Sequence, residues 1–132
     1  MSDAGRRIVR TSNAPTAVGP YSQAVRAGTF LFTSGQIPLD PRTGRLEQGS
    51  IDVQTRRVMD NLRAVLAEGG ADFADVVKTT VYLTDLADFS AMNTVYATYF
   101  TSDPPARSTV EVRALPLGAR VEIDMVAVVP GS

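Results

Sequence analysis

The sequence predicts an α+β fold in which a six-stranded mixed sheet carries two long helices on one face. Six segments alternate apolar and polar residues or are rich in β-branched residues, which is typical of strands. Two other segments carry apolar residues at helical spacing, and each lies between predicted strands, so part of the sheet should be parallel. With 132 residues and no linker, the chain is expected to form a single domain over residues 1–132.

The first three predicted strands lie near the N-terminus. Arg6–Arg10 is predicted as a short edge strand, and Tyr21–Ala27 and Thr29–Ser34 as a hairpin that turns at Gly28. A turn-bearing loop follows at residues 40–44.

Two segments are predicted as helices. The first follows Ser50 and ends at Gly69-Gly70, because glycine readily takes the conformation that stops a helix. Asp72 is expected to cap a short turn and Asp88 to cap the second helix. The apolar stripe of the first helix comprises Val58, Met59, Leu62, Val65 and Leu66, and that of the second comprises Phe89, Met92, Tyr96, Tyr99 and Phe100.

The other predicted strands are Val76–Thr84, a segment that begins at Arg107, and Arg120–Val128. Two helices cover only one face of a sheet, and the apolar phase of each strand should face them. The opposite, charged phase is either a solvated face or an oligomer interface in which acids pair with arginines of the next strand. The apolar phases are Val77, Val81 and Leu83; Ser108, Val110 and Val112; and Val121, Ile123, Met125 and Ala127.

The composition argues against several function classes. The chain has no cysteine and no histidine, which excludes disulfides, thiolate chemistry and a Ser-His-Asp triad, and argues against a transition-metal enzyme. A net charge of −1 offers no basic surface for nucleic acid or an anionic membrane. No signal peptide or membrane-spanning run is recognisable, so a cytoplasmic location is expected.

Arg107 is the residue best suited to a functional role. It stands where a loop, fixed by Pro104-Pro105, meets a strand, and its guanidinium presents a rigid fork of donors for a carboxylate or phosphate. Thr109 points to the same side of that strand, and Glu122 lies in the polar phase of a neighbouring one. A plain ion pair is the alternative interpretation of Arg107 and Glu122.

Four further residues are candidates by type and position, although each also has an ordinary structural interpretation. Tyr21 could be a strand aromatic, Ser34 a turn residue and Asn93 a helix-edge amide. Gly35 would allow a ligand to approach the backbone closely and accept a hydrogen bond from the backbone N–H.

Taken together, these motifs resemble the Rid family, the reactive intermediate deaminases that are also called the YjgF family. The resemblance runs from about Thr11 to Val128 and implies a chorismate-mutase-like fold. It also implies a homotrimer whose sheets pack into a central β-barrel, with ligand sites in the clefts between subunits. It rests on Gly19–Ala24, Thr33–Pro38, Val77–Tyr82, Asn93 with Tyr96, Pro105–Val112 and Val121–Ile123.

The resemblance implies an activity as well: hydrolysis of reactive 2-enamine or 2-imino acids, such as 2-aminoacrylate, to 2-keto acids and ammonia, with no cofactor and no metal. An imine carbon is already electrophilic, so the site has to supply orientation and charge placement. On the family pattern, Arg107 binds the substrate carboxylate and Glu122 positions or activates water. The pocket would be completed by Tyr21, Ser34, Gly35, Asn93 and the backbone near Thr109.

Two departures from the family pattern stand out. Many members have a cysteine where this chain has Thr109, so thiol-based modification is impossible there. The segment Thr101–Pro104 is shorter than in the archetypal deaminases, which leaves the substrate preference open.

Two other functions are weighed against imine hydrolysis. The first is a regulatory module that binds small carboxylates in the same clefts without turnover. The second, an endoribonuclease, is sometimes attributed to relatives. It lacks support here, because the chain offers neither a histidine for acid–base cleavage nor a basic stripe for RNA.

Overall fold

The computed structural model describes residues 5–131. The expectation about a signal peptide concerns the N-terminal stretch, of which residues 1–4 lie outside the described residues. No helix within residues 5–131 combines the length and the apolar character needed to cross a membrane.

The predicted six-stranded mixed sheet is confirmed. Its spatial order is β1-β2-β3-β6-β4-β5, with β4 and β5 parallel and all other neighbours antiparallel. The strands are β1 (Arg6–Val9), β2 (Ala24–Ala27), β3 (Phe30–Thr33), β4 (Val76–Leu83), β5 (Ala106–Glu111) and β6 (Val121–Val128).

Two helices, α1 (Ile51–Glu68) and α2 (Phe89–Ala97), pack against one face of the sheet. The predicted stripe of α1, from Val58 to Leu66, is fully buried. Gly70 follows the helix with a φ of 90°, as expected of the glycine that stops it. Asp72 caps the short 3-10 turn Phe73–Asp75, as predicted.

Three predicted boundaries or caps are wrong. Tyr21 precedes β2 instead of lying in it, and Tyr99 and Phe100 follow α2, although both pack on the core. Asp88 stands at the start of α2 but does not cap it, because its carboxylate accepts a hydrogen bond from Arg120 Nη2 at 2.9 Å.

The strand phases follow the prediction on β6 and on most of β4. Val77 is an exception with 46% exposure, because a β-bulge at residues 76–78 turns it outward. On β5 the prediction is wrong: Val110 is 41% exposed, whereas Arg107 faces α2. β5 is an edge strand whose inner side meets polar and aromatic residues of α2, so its apolar phase is not the one that is covered.

The uncovered face of the sheet carries polar groups along β4, β5 and β6. The Tyr82 hydroxyl donates to Asp124 Oδ2 at 3.2 Å, and Lys78 Nζ donates to Ser108 Oγ at 3.5 Å. Within residues 5–131 of one chain, no ion pair joins an acid on this face to an arginine of the next strand, and an oligomer interface lined by paired charges stays a prediction. Further along, Phe30 and Phe32 of β3 lie about half exposed on the same face.

Candidate active site

Arg107 lies on the helix-covered side of β5, where α2 holds its guanidinium. Arg107 Nη1 donates a hydrogen bond of 2.7 Å to Asn93 Oδ1, so the predicted candidates Arg107 and Asn93 are brought together. The guanidinium carbon lies 4.9 Å from the ring centroid of Tyr96 and 5.5 Å from that of Phe89, within the range of cation–π contacts. A guanidinium has five N–H groups, so several can still be donated to a ligand.

Thr109 lies two residues further along β5 and therefore on the same side as Arg107. Its hydroxyl is buried and has no hydrogen-bond partner among the described residues. A buried hydroxyl without a partner is unusual and indicates a place where a missing group would bind.

Glu122 lies on β6 and projects from the opposite, uncovered face of the sheet. Burial raises the pKa of its carboxyl, and the neighbouring charge of Asp124 raises it further. Burial also raises the pKa of Asp124, although the hydrogen bond from Tyr82 and the charge of Lys78 oppose this shift. Among residues 5–131, a hydrogen bond stabilises the charged form of Asp124 but none does so for Glu122.

Gly35 packs directly against Glu122. A Cβ atom at position 35 would overlap the Glu122 carboxylate, so only glycine lets this carboxylate occupy its position. The backbone next to Gly35 is bound to β6, because Gln36 exchanges hydrogen bonds with Ile123 at 2.9 and 3.2 Å. The close approach of Gly35 is therefore a fixed feature of the sheet.

A cavity of about 550 Å³ adjoins Glu122. Tyr21, Ser34 and Gly35 line it together with Glu122, so four of the predicted site residues are gathered here. The Ser34 hydroxyl donates to the carbonyl of Ser22 at 2.6 Å and ties the cavity wall to the segment before β2. The other lining residues are mostly apolar: Pro15, Val18, Ile37, Leu39, Pro116 and Leu117, with Thr16, Gln23 and Gln36.

The predicted site residues thus form two groups on opposite faces of one sheet. The register pairs Arg107 with Thr79 on the covered face, and it pairs Glu122 with Tyr82 on the uncovered face. Asn93 and Thr109 belong with Arg107, whereas Tyr21, Ser34 and Gly35 belong with Glu122. Within a single chain, therefore, the two groups do not share one pocket.

The sequence analysis gives Phe89 and Tyr96 no role in the site: both belong to the predicted apolar stripe of α2, and Tyr96 enters otherwise only as part of the family motif with Asn93. Their spacing held a signal: Phe89, Asn93 and Tyr96 lie at positions i, i+4 and i+7, which is one helix face. Aromatic rings attract a cation placed over them, so a helix face with two aromatics is suited to hold an arginine. Thr79, which hydrogen-bonds to Tyr96, carried no recognisable sign in the sequence.

The chain resembles known proteins in both sequence and structure. The sequence model of the family described as endoribonuclease L-PSP matches residues 11–129. The chain is 55% identical to protein DfrA of Myxococcus xanthus over 97% of this chain and 99% of the relative. It is 45% identical to the mouse 2-iminobutanoate/2-iminopropanoate deaminase, over 97% of this chain and 95% of the relative.

Solved structures share the fold. The Rid-family protein YyfA from Yersinia pestis aligns with a TM-score of 0.93 at 48% identity, covering 95% of this chain and all of that one. Escherichia coli TdcF, solved with bound serine, aligns with a TM-score of 0.89 at 40% identity, covering 92% of this chain and 98% of that one.

Proposed function

The chain belongs to the endoribonuclease L-PSP family, whose members include the Rid proteins, and we propose from this premise that it hydrolyses reactive 2-imino acids to 2-keto acids and ammonia. The mouse relative is named a deaminase of 2-iminobutanoate and 2-iminopropanoate, and we propose the same substrate class here. In this reaction water adds to the imine carbon, and the resulting carbinolamine then expels ammonia.

The observation that supports the proposal most strongly is the prearranged guanidinium of Arg107. Asn93 and two aromatic rings hold it at the start of β5, with N–H groups left for a ligand. A fork held in this way suits the flat carboxylate of an imino acid. TdcF, with its bound serine, is a relative that binds a small carboxylate of similar size.

Glu122 is the proposed base. Its raised pKa brings its proton affinity closer to neutral pH, where an acid–base group works best. In the proposed first step the Glu122 carboxylate accepts a proton from the attacking water and passes it to the imine nitrogen, which gives the neutral carbinolamine. Glu122 then accepts the hydroxyl proton of the carbinolamine and passes it to the amino group, so that the C=O bond forms, the C–N bond breaks and ammonia leaves. Tyr21, Ser34 and Gly35 would line the pocket around it, and the Thr109 hydroxyl or backbone would help to hold the water or the imine nitrogen.

We further propose that the complete site forms between subunits of a homotrimer. Arg107 and Glu122 lie on opposite faces of one sheet, so a substrate that touches both would need one residue from each of two chains. The polar uncovered face and the half-exposed Phe30 and Phe32 would then be the surfaces that assembly covers. A single domain over residues 1–132 and a cytoplasmic location stay predictions; fractionation of the source cells tests the latter.

The activity is tested with a panel of amino-acid imines, generated in place by a serine or threonine dehydratase and followed by coupled detection of the keto acid. We expect the protein to accelerate keto-acid release. Arg107→Ala should abolish the acceleration without unfolding the chain, because the substrate loses charge-assisted hydrogen bonds worth about 1.5–3 kcal/mol each. Arg113→Ala is the matched control, since Arg113 is exposed just beyond the same strand.

Three outcomes would contradict the proposal. Keto-acid release at the uncatalysed rate across the panel would exclude imine hydrolysis. Saturable keto-acid binding without turnover would favour the carboxylate-binding module instead. Cleavage of RNA by the pure protein, lost in Arg107→Ala, would favour the ribonuclease activity after which the family is described.

A further inference from the structure

Tyr96 lies between the guanidinium of Arg107 and the core. Its ring centroid is 4.9 Å from the guanidinium carbon, and its hydroxyl shares a hydrogen bond of 2.8 Å with Thr79 Oγ1. We propose that Tyr96, anchored by Thr79, is a positioning residue that holds the Arg107 fork in the orientation a substrate carboxylate requires. This inference rests on the proposed role of Arg107.

The sheet register makes this arrangement possible. Thr79 and Arg107 are direct partners on the parallel strands β4 and β5, so both side chains rise from the same face. α2 crosses above them and lays Tyr96 over both. The tyrosine thus links a fully buried threonine in the interior of the sheet to an arginine at its edge.

The hydroxyl of Tyr96 lies between two polar groups: it shares a hydrogen bond with Thr79, and the Arg107 guanidinium is close enough to lower the pKa of the phenol against the effect of burial. A phenylalanine would offer the same aromatic face to Arg107, and a valine in place of Thr79 would fill the same space without a polar atom. Instead, two buried polar groups satisfy one another, an arrangement that specifies one orientation more strictly than apolar packing. Burial raises the pKa of Tyr96, so the phenol keeps its proton at neutral pH.

Phe89 and Asn93 complete the arrangement from the same face of α2. Asn93 fixes one nitrogen of the guanidinium at 2.7 Å, and Phe89 presents a second ring at 5.5 Å. Three side chains therefore restrict an arginine that would otherwise sample many rotamers. A fork that is already ordered loses less entropy on binding, which increases its affinity for a carboxylate.

The test uses Tyr96→Phe, Thr79→Val and the double variant, with Tyr99→Phe as the matched control. Tyr99 also donates a hydrogen bond from a partly buried hydroxyl, to Asp60 Oδ1 at 2.9 Å, and also lies under an arginine, Arg63. Affinity for 2-oxobutanoate is measured by calorimetry, unfolding by urea titration, and KM and kcat on the imine panel.

We expect each single variant to lose stability, because one buried hydroxyl is left unpaired. Affinity for 2-oxobutanoate should fall by about threefold to tenfold, as expected for the loss of one net hydrogen bond, and KM should rise more than kcat falls. The double variant should recover stability, since neither hydroxyl remains, but it should not recover affinity. A purely structural role would make stability and affinity recover together.

The role of Arg107 is isolated in the Arg107→Ala background, where Tyr96→Phe should change the affinity no further. The inference is overturned if Tyr96→Phe weakens binding equally in that background, if the double variant binds as the wild type does, or if Tyr99→Phe causes the same loss. A wild type that binds 2-oxobutanoate but hydrolyses no imine would refute the proposed function alone. The binding measurements would then still decide whether Tyr96 positions Arg107.

Discussion

At the scale of the single residue, the ionised carboxylate of Glu122 is expected to destabilise the folded chain at neutral pH. Its pKa is raised in the folded chain by burial and by Asp124. The folded chain therefore holds this proton more strongly than the unfolded chain, so the group favours folding below its unfolded pKa and loses that contribution as pH rises through the folded pKa. We expect Glu122→Gln to raise the midpoint of thermal unfolding at about pH 7, with the gain disappearing below about pH 4.

The measurement is a series of thermal melts between those two pH values. Glu68→Gln serves as the control, because Glu68 is exposed near the end of α1. The same Glu122→Gln protein should be inactive on the imine panel. A stability difference that does not depend on pH would contradict the assignment of a raised pKa.

Gly35 supports the second residue-scale prediction. An added methyl group at this position would overlap the Glu122 carboxylate and displace it from its place beside the cavity. We expect Gly35→Ala to reduce kcat/KM by at least about tenfold, since a small misplacement of a catalytic group is costly. Gly5→Ala is the control, because a methyl group there meets open space; equal activity of the Gly35 and Gly5 variants would contradict the prediction.

The sequence was sufficient to select these residues but not to place them. Residue type and motif identify Arg107, Glu122 and Gly35 from the sequence alone. These residues lie on two faces of the sheet, and the face on which Arg107 lies depends on which side of the edge strand β5 is covered by α2. Apolar alternation failed on β5, because there the covered side holds Arg107 and Thr109 against aromatic rings.

The turn before β6 provides a prediction at the scale of the element. Leu117 has a φ of 60° in the 3-10 turn Pro116–Gly118, and its side chain is 71% exposed. A non-glycine residue in the left-handed region destabilises the folded chain by about 1–2 kcal/mol. Glycine would relieve this strain, but it would also make the unfolded chain more flexible, which offsets part of the gain. Leu117→Gly should therefore stabilise the protein by about 0.5–1 kcal/mol in urea titrations.

Leu117→Ala separates the two contributions, because it removes the same side chain but keeps the strained backbone. It should leave the free energy of unfolding near that of the wild type. Equal gains in the alanine and glycine variants would show that the side chain, not the backbone, is responsible.

Elements that local signals define were predicted well. α1 begins directly after Ser50 and ends before the two glycines, as these residues indicate, and its apolar stripe is buried. The predicted cap of α2 is wrong because the Asp88 side chain binds a residue that is distant in the sequence. Arg120, 32 residues away in the sequence, engages the carboxylate that would otherwise cap the helix, and no local pattern reveals such a partner.

Assembly is the prediction at the scale of the whole molecule. Light scattering should give about three times the chain mass of 14.1 kDa at micromolar concentration. Co-expression of Arg107→Ala with Glu122→Gln then tests whether the two residues act across an interface. In random mixed trimers about a quarter of the shared sites would receive both native residues, so activity should partly return.

Two inactive homotrimers mixed without exchange of subunits should stay inactive, which provides the control. A co-expressed mixture that is also inactive, despite proven mixed assembly, would place both residues of a working site in the same chain. A stable monomer would exclude every site residue that is proposed to act across the interface.

The position of β6 also has a consequence for how the chain is made. β6 pairs with β3 and β4, so the strand synthesised last of the six lies at the centre of the sheet. While the ribosome still holds residues 121–128, β3 and β4 each present an unpaired edge, and α1 has only part of its apolar surface covered. Folding is therefore expected to be completed only after β6 emerges, and until then the exposed strand edges and apolar surface make the nascent chain prone to aggregation.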